Sequence, residues 1–327
     1  MTAAPFGSIQ WRTMSGGSTS SCIRRRPQSG WRILLQRARV QRRLGRGVAF
    51  DLVWTGPWTY RNQIAKRFRC GNVFLVGDSA HAFSPFGGRG GNSGVQDAEN
   101  LVWKLAMVMR GEADPALLNT YETERHPAAE LNIAITSETA RFLHPPNAVR
   151  RLERAAILRL APHFSRARKR VNTGRLSLPF RYSASDLSPG EGASIPNVEI
   201  GGQGEQVRTL LDLFAGPPHY VALAFDLEIT DLQQVRRVGA AAGMAVYAVD
   251  CPNDAAGEIQ GTHLRTALDV NAPTIVVLRP DMHIAVRLGP EGMPVLGTLL
   301  PRRPNLGATL GERASVTFEH SLVGASR

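Results

Sequence analysis

Between Phe74 and Gly94 the chain reads FLVGDSAHAFSPFGGRGGNSG, an apolar run followed by Asp78, Ser79, His81 and most of its six glycines. Three chemistries compete for such a stretch: a hydrolase turn presenting Ser79, a cradle for phosphate, and the floor of a large flat cofactor. A nucleophilic serine needs a histidine to take its proton and an acid to orient that histidine. The esterase class that presents serine in a GDS turn draws that histidine from a D-x-x-H block near the C-terminus. No histidine after His81 has an aspartate three residues earlier, and Asp281-Met282-His283 falls one residue short. The pattern G-x-S-x-G fails too, because His81 stands where its second glycine belongs. GGRGGNSG lacks the GK[ST] ending that grips terminal phosphates and magnesium. Gly88, Gly90 and Gly91 do not keep the G-x-G-x-x-G spacing, and no acid ends a second strand about twenty residues later.

What remains is a glycine loop between a strand that ends in a carboxylate and the start of a helix. A helix start carries roughly half a positive charge and unpaired N–H donors, so it stabilises an anionic ring laid against it. Glycine serves where backbone must approach a planar ligand with no Cβ in the way. Asp78 can accept hydrogen bonds from sugar-like hydroxyls. Together these features suit a flavin with its ribityl chain.

The elements around the loop follow from pattern. AFDLVWTGPW reads as a strand broken at Gly56-Pro57, QIAKRFR as a short connection, and NVFLV as a buried strand ending at Gly77-Asp78. Val95, Ala98, Leu101, Val102, Leu105, Ala106 and Met109 recur at helical spacing, with Gly111 as the stop and all the glycine left in the loop. Asp114-Pro115 opens the next helix, acid at the N-cap and proline at the first turn. Pro127 is expected to kink or interrupt that helix, and His144-Pro145-Pro146 to end it. VRRLERAAILRLAPHF should lie amphipathically on the body. A Ser-, Pro- and Gly-rich linker is expected from Leu178 to Pro196. Beyond it HYVALAFD, GMAVYAVD, TIVVLRP and MHIAVRLG are short β-rich runs around a helix at TDLQQVRRVGAA, which implies a small α/β unit with a mixed sheet.

The run GNVFLVGDSAHAFSPFGGRGGNSGVQDAENLVWKLA resembles the second flavin-binding motif of the FAD-dependent aromatic hydroxylases of the para-hydroxybenzoate hydroxylase type. It is most similar to the branch that acts on phenolic acids such as 3-(3-hydroxyphenyl)propionate, and LLNTYETERHPAAELNI fits the same family. The resemblance implies FAD as cofactor, NADH or NADPH as co-substrate, and hydroxylation of a small phenolic compound with O2. It implies that Asp78 binds the ribityl hydroxyls, Gly77 lets it approach, and Pro85 borders the ring. Gly88, Gly90, Gly91 and Asn92 would offer amides to the pyrimidine edge. His81 reads as a packed histidine, Asp97 as support for the helix start, Trp103 as core, and Tyr121, Glu124 and Arg125 as structural. Arg89 reads either as a solvated loop cation or as a partner for an anionic flavin or acid substrate. No catalytic residue is singled out.

Family members carry a G-x-G-x-x-G element for the ADP half of FAD, then a substrate-binding sheet, and neither motif is found here. The expectation is therefore a chain truncated at its N-terminus, an α/β (α+β) protein that is catalytically poor alone. The resemblance weakens after Arg175. The expected division is a basic segment at 1–47, disordered or non-native, part of an FAD-binding monooxygenase domain at 48–175 with a helical arm, and a thioredoxin-like domain without a CxxC pair at 176–327. The alternative is an inactive fragment serving as an interaction or oligomerisation module, with a homodimer as one form.

At 327 residues and 43% hydrophobic composition the chain can bury a sizeable core. Its net charge of +12 suggests nucleic acid, but ten arginines lie between Met1 and Arg46 and no acid precedes Asp51. The remainder holds 29 basic against 27 acidic residues, so the body is nearly neutral. The basic segment reads as a presequence, an arm for an acidic partner, or non-native coding fused to a domain beginning near Val48. Cys22, Cys70 and Cys251 show no metal or redox spacing and suit a reducing cytoplasm. No apolar run approaches the ~18 residues of a membrane span.

Overall fold

The computed structural model describes residues 11–13, 30–45, 48–52, 61–85, 88–171, 178–201, 208–251, 259, 261–292 and 296. In the N-terminal half, strands β1 (Trp11–Thr13), β2 (Gln63–Ala65) and β5 (His81–Ala82) form an antiparallel sheet in the order β1-β2-β5. The stretch expected to be a connection at QIAKRFR therefore supplies β2 and, at Arg69, the start of β3 (Arg69–Cys70). NVFLV is not a buried strand. Only Val73–Phe74 (β4) forms a strand, paired with β3 around Gly71 at φ +60°, and Val73 is 51% exposed. An apolar run gives the same sequence signal whether it pairs on both sides or only one. Ala49–Leu52 are not a strand, and the rest of AFDLVWTGPW, like Cys22, lies outside the described residues. The basic stretch contains β1 and the helix α1 (Gly30–Leu44).

Helices α2 (Arg89–Met109) and α3 (Asn119–Leu143) stand beside the small sheet and close a core of Ile64, Phe68, Leu101, Tyr121, Ala129 and Ile133. The Asp114 cap forms as expected: its carboxylate accepts from the Ala116 amide at 2.7 Å, and Pro115 opens the turn. His144 caps the far end of α3. Pro127 does not interrupt α3, which runs through it with Tyr121, Glu124, Arg125, Ala128, Ala129 and Asn132 buried on both sides of it. Tertiary burial outweighs the one lost backbone bond.

The C-terminal half is a four-stranded mixed sheet in the order β11-β10-β8-β9, made of β8 (Val221–Phe225), β9 (Ala245–Val249), β10 (Thr274–Leu278) and β11 (Ile284–Leu288). β8 runs parallel to β9 through the crossover helix α6 (Ile229–Ala242) and antiparallel to β10. β8 is buried along its whole length, so its alternating side chains fill two cores. Val221, Leu223 and Phe225 face one core with Leu264 and Val276; Ala222 and Ala224 face the other with Ile275 and Val277. That second core also holds Trp103 and Met107 of α2, so the two halves share apolar packing. Each fully buried Leu, Ile or Val contributes about 1.5–3 kcal/mol.

The expected linker is a packed strap. Tyr182, Ser185, Ser188 and Ile195 are buried, and Ser194 bridges His283. Gly192 lies at φ +78°, and a Cβ there would meet the Tyr182 backbone at 2.5–2.8 Å. Gly192→Ala should therefore lower thermal stability by at least the ~1–3 kcal/mol of a strained backbone site. Unchanged melting would show that the strap yields. The amphipathic arm α4 (Ala148–Leu160) does not lie on the body: none of its residues is buried, and Val149 and Leu152 are each 72% exposed. Among the described residues no helix is long and apolar enough to cross a membrane.

Candidate functional site

Asp78 sits in the middle of a tight turn, Gly77–Ser79, with its side chain exposed. The turn is closed by the Ala80 amide on the Gly77 carbonyl at 2.8 Å. Ser79 Oγ donates to the Val76 carbonyl at 2.8 Å and accepts from the Val76 amide at 2.9 Å. Those two bonds hold the turn and occupy the hydroxyl, which has no hydrogen bond to His81. Ser79→Ala is expected to cost about 1 kcal/mol of stability, the usual net worth of such bonds, and by loosening the turn to weaken FAD binding without abolishing it. Loss of binding in that variant would return the serine to the site.

Gly77 has φ +59°, and a Cβ on Gly94 of α2 would meet Gly77 Cα at 3.3 Å. Two glycines thus let the turn lie flush against the helix, which brings Asp78 to the helix start. Gly88 caps α2 in the left-handed conformation at φ +63°, with its amide on the Pro85 carbonyl at 3.1 Å. Arg89, Gly90 and Gly91 follow as the first turn, whose amides have no partner within the helix. Gly90, Gly91, Asn92 and Gly94 are therefore helical and not in the loop. A Cβ at Gly88, Gly90 or Gly91 would meet nothing within 4 Å, so no packing among the described residues demands glycine there. Open space over a helix start fits an anionic flat edge brought close to backbone. Asn92 Nδ2 donates to the Gly88 carbonyl at 3.0 Å and stiffens the cap. Pro85 is exposed, and Ser84 before it is pinned through its amide to Asn62 Oδ1 at 2.7 Å.

Beneath the turn lies a buried knot. Asp97 Oδ2 accepts from the Gly77 amide at 3.0 Å and from His81 Nε2 at 2.6 Å, while Oδ1 accepts from Arg125 Nε at 2.7 Å. Burial alone would raise the Asp97 pKa; the His81 and Arg125 contacts outweigh it and hold the carboxyl below its usual range. Asp97 thus supports the turn from well inside α2, and not the helix start as the sequence suggested. His81 is fully buried, its ring stacked on Phe83 at 4.4 Å, which rules it out as a base toward an outside substrate. Arg89 is no solvated loop cation: it donates to Asn132 Oδ1 at 2.6 Å and the Leu178 carbonyl at 3.2 Å. Trp103 is core, with Nε1 donating to Asp281 Oδ2 at 3.1 Å.

The periodicity of α2 misled in one respect. Val95, Val102 and Met109 are exposed, and the buried face instead carries Ser93, Asp97, Asn100 and Lys104 beside Leu101, Trp103 and Met107. A signal was present, since Asp97, Asn100 and Lys104 recur at helical spacing opposite the polar pair Glu124-Arg125. A cavity of about 200 Å³ opens elsewhere on α2, lined by Glu99, Arg125, Phe180, Tyr182, Asp281 and His283 among others. It contains none of the residues assigned to the flavin. Among the described residues no group of three or more His, Cys, Asp or Glu is placed to hold a metal ion.

The FAD binding domain family matches residues 14–136, a span that includes the turn, α2 and most of α3. That match spans 123 of the 327 residues, and this part of the chain carries the likeness to FAD-dependent aromatic hydroxylases. Tetracenomycin A2 monooxygenase-dioxygenase of Streptomyces glaucescens is 38% identical over 180 residues, which is 54% of this chain and 31% of that one. The 3-(3-hydroxy-phenyl)propionate/3-hydroxycinnamic acid hydroxylase of Mycolicibacterium vanbaalenii is 40% identical over 112 residues, 33% of this chain and 20% of that protein. Aklavinone-11 hydroxylase, solved in a ternary complex with FAD and aklavinone, superposes with a TM-score of 0.59 at 27% identity, covering 84% of this chain and 52% of the other. The chain thus spans about a third of the first of these relatives and half of the solved enzyme. The matched span includes the turn and helix start that the sequence singled out.

Proposed function

We propose that this chain forms the ribityl and ring side of the FAD site in a monooxygenase that hydroxylates a phenolic compound with NADH or NADPH and O2. The observation that carries the reading is the exposed Asp78 carboxylate, on a turn packed against α2 by the Gly77–Gly94 contact, beside the glycine-rich start of that helix. Asp78 accepts from the ribityl hydroxyls. Gly88, Gly90 and Gly91 let the ring's electron-rich edge approach the helix-start amides, Asn92 holds the cap, and Pro85 borders the ring. The bound flavin supplies the redox chemistry, taking reducing equivalents from the nicotinamide and activating oxygen. The protein's part is to orient it and stabilise its negative charge. Relatives named for tetracenomycin A2 and 3-(3-hydroxy-phenyl)propionate support a phenolic ring as the substrate.

Residues 176–327 are read as a thioredoxin-like unit, a proposal supported by the mixed four-stranded sheet. Three scattered cysteines favour a reducing cytoplasm. The test is to add FAD to the purified protein and follow the flavin spectrum, then NAD(P)H consumption with a phenolic acid. Saturable flavin binding with little stimulated turnover is the expected result. No flavin binding would overturn the reading. A second role, self-association through the arm, is favoured by the exposed Val149, Leu152 and Phe164. Light scattering of wild type against Leu152→Glu decides it: a dimer lost in the variant supports this role, and a wild-type monomer excludes it.

A further inference from the structure

Between the flavin turn and the C-terminal sheet lies a buried ionic joint. Arg279, in the turn between β10 and β11, donates to Glu124 of α3 at 2.6 and 2.9 Å, and to Asp281 at 3.0 and 2.7 Å. Its guanidinium lies 5.5 Å from the Trp103 ring centroid and 5.2 Å from that of Tyr182. Glu124 also accepts from Lys104 at 2.7 Å, Asn100 at 2.6 Å and Ser185 at 2.5 Å. The side chains of Glu124, Arg279 and Lys104 are fully buried. The next residue of α3, Arg125, makes the opposite connection: it holds Asp97, which holds the Gly77 amide, and it donates to the Tyr182 hydroxyl at 2.8 Å.

Buried ion clusters stabilise less than apolar packing of the same volume, but they accept fewer arrangements, so they fix register. We propose that Arg279 is a positioning residue for the flavin site: through Glu124 and its neighbour Arg125, the C-terminal sheet sets the orientation of α3 and thereby the Gly77–Ser79 turn. Arg279 touches no flavin. The C-terminal unit, on this view, is a structural part of the cofactor site and not an appended module. The inference rests on the flavin reading for its consequence and on the hydrogen-bond path for its geometry.

The test uses the full chain as wild type, Arg279→Met, Glu124→Gln and Leu264→Ala. Leu264 is buried in the sheet's other core, so its variant matches the loss of stability without touching the joint. Two quantities are read: the FAD dissociation constant, by flavin fluorescence, and hydrogen exchange at the Gly77–Ala80 amides without flavin. Arg279→Met and Glu124→Gln are expected to weaken FAD binding about tenfold and to speed exchange in the turn. Leu264→Ala should lower the melting temperature and change neither. Glu124→Gln keeps the side chain's size and one acceptor oxygen, for either Asn100 or Ser185, which protects the test if Arg279→Met misfolds. Equal effects in Leu264→Ala, or unchanged exchange in both joint variants, would overturn the proposal. If wild type binds no FAD the functional reading fails, and the exchange measurement alone decides the joint.

Discussion

Replacing Asp78 by alanine is expected to weaken FAD binding by about ten- to a hundredfold and to leave the melting temperature nearly unchanged. The first half follows from chemistry: hydrogen bonds to an ionised group contribute about 1.5–3 kcal/mol, and 1.4 kcal/mol is a factor of ten. The second half follows from position. Asp78 is exposed, while the turn around it is held by the Gly77, Val76 and Ser79 contacts that the substitution leaves intact. Titration of FAD into wild type and variant, beside a thermal melt of each, separates the two. An Asp78→Ala protein that binds FAD like wild type would remove the residue from the site. One that unfolds would give it a structural role instead.

The second large effect is expected at Glu124. Glu124→Ala leaves the Arg279 and Lys104 charges buried with part of their compensation gone, and breaking a buried ion pair from one side costs about 3–5 kcal/mol. Burial would raise the Glu124 pKa, but the charges and hydrogen bonds of Arg279 and Lys104 outweigh it and hold the carboxyl at about 2. Unfolded glutamate titrates near 4.3, so the folded pKa is depressed. The associated stability is fully present above the unfolded value and is lost as pH falls toward the folded one, a contribution of about 3 kcal/mol. Denaturant melts between pH 5 and pH 2 should show the wild type losing this increment while Glu124→Gln, lacking the titrating group, changes less. Parallel curves for the two proteins would contradict the assignment.

Local signals were readable from sequence alone. The Asp114-Pro115 cap and the His144 stop depend on neighbours a few residues away, and both formed as expected. The sheet strands of the C-terminal half were legible because β8 to β11 carry compact β-branched and apolar runs. Trp103 as core and His81 as a packed residue also held. What failed depended on distant partners. The apolar spacing of α2 pointed to Val95, Val102 and Met109, but the buried face is set by Glu124 and Arg125 on α3, which charge patterning does not reveal until the helices are paired. The interruption that Pro127 suggested does not occur, because propensity counts its missing N–H and not the packing around it. The 178–196 strap was read as a linker because its composition is turn-like, and nothing local shows that Tyr182, Ser185 and Ser188 close a buried network.

In the candidate site the glycines divide by function only once the structure is seen. Gly77 and Gly94 are required by each other, at 3.3 Å, while Gly88, Gly90 and Gly91 face open space. That contrast sharpens the central claim, that a flavin occupies the space above the α2 start. Hydrogen exchange of the backbone amides from Gly77 to Asn92, with and without FAD, tests it most directly. Slower exchange at Arg89, Gly90 and Gly91 on adding FAD, with β10 and β11 unchanged, is the predicted result. Protection that appears elsewhere and spares the helix start would contradict it.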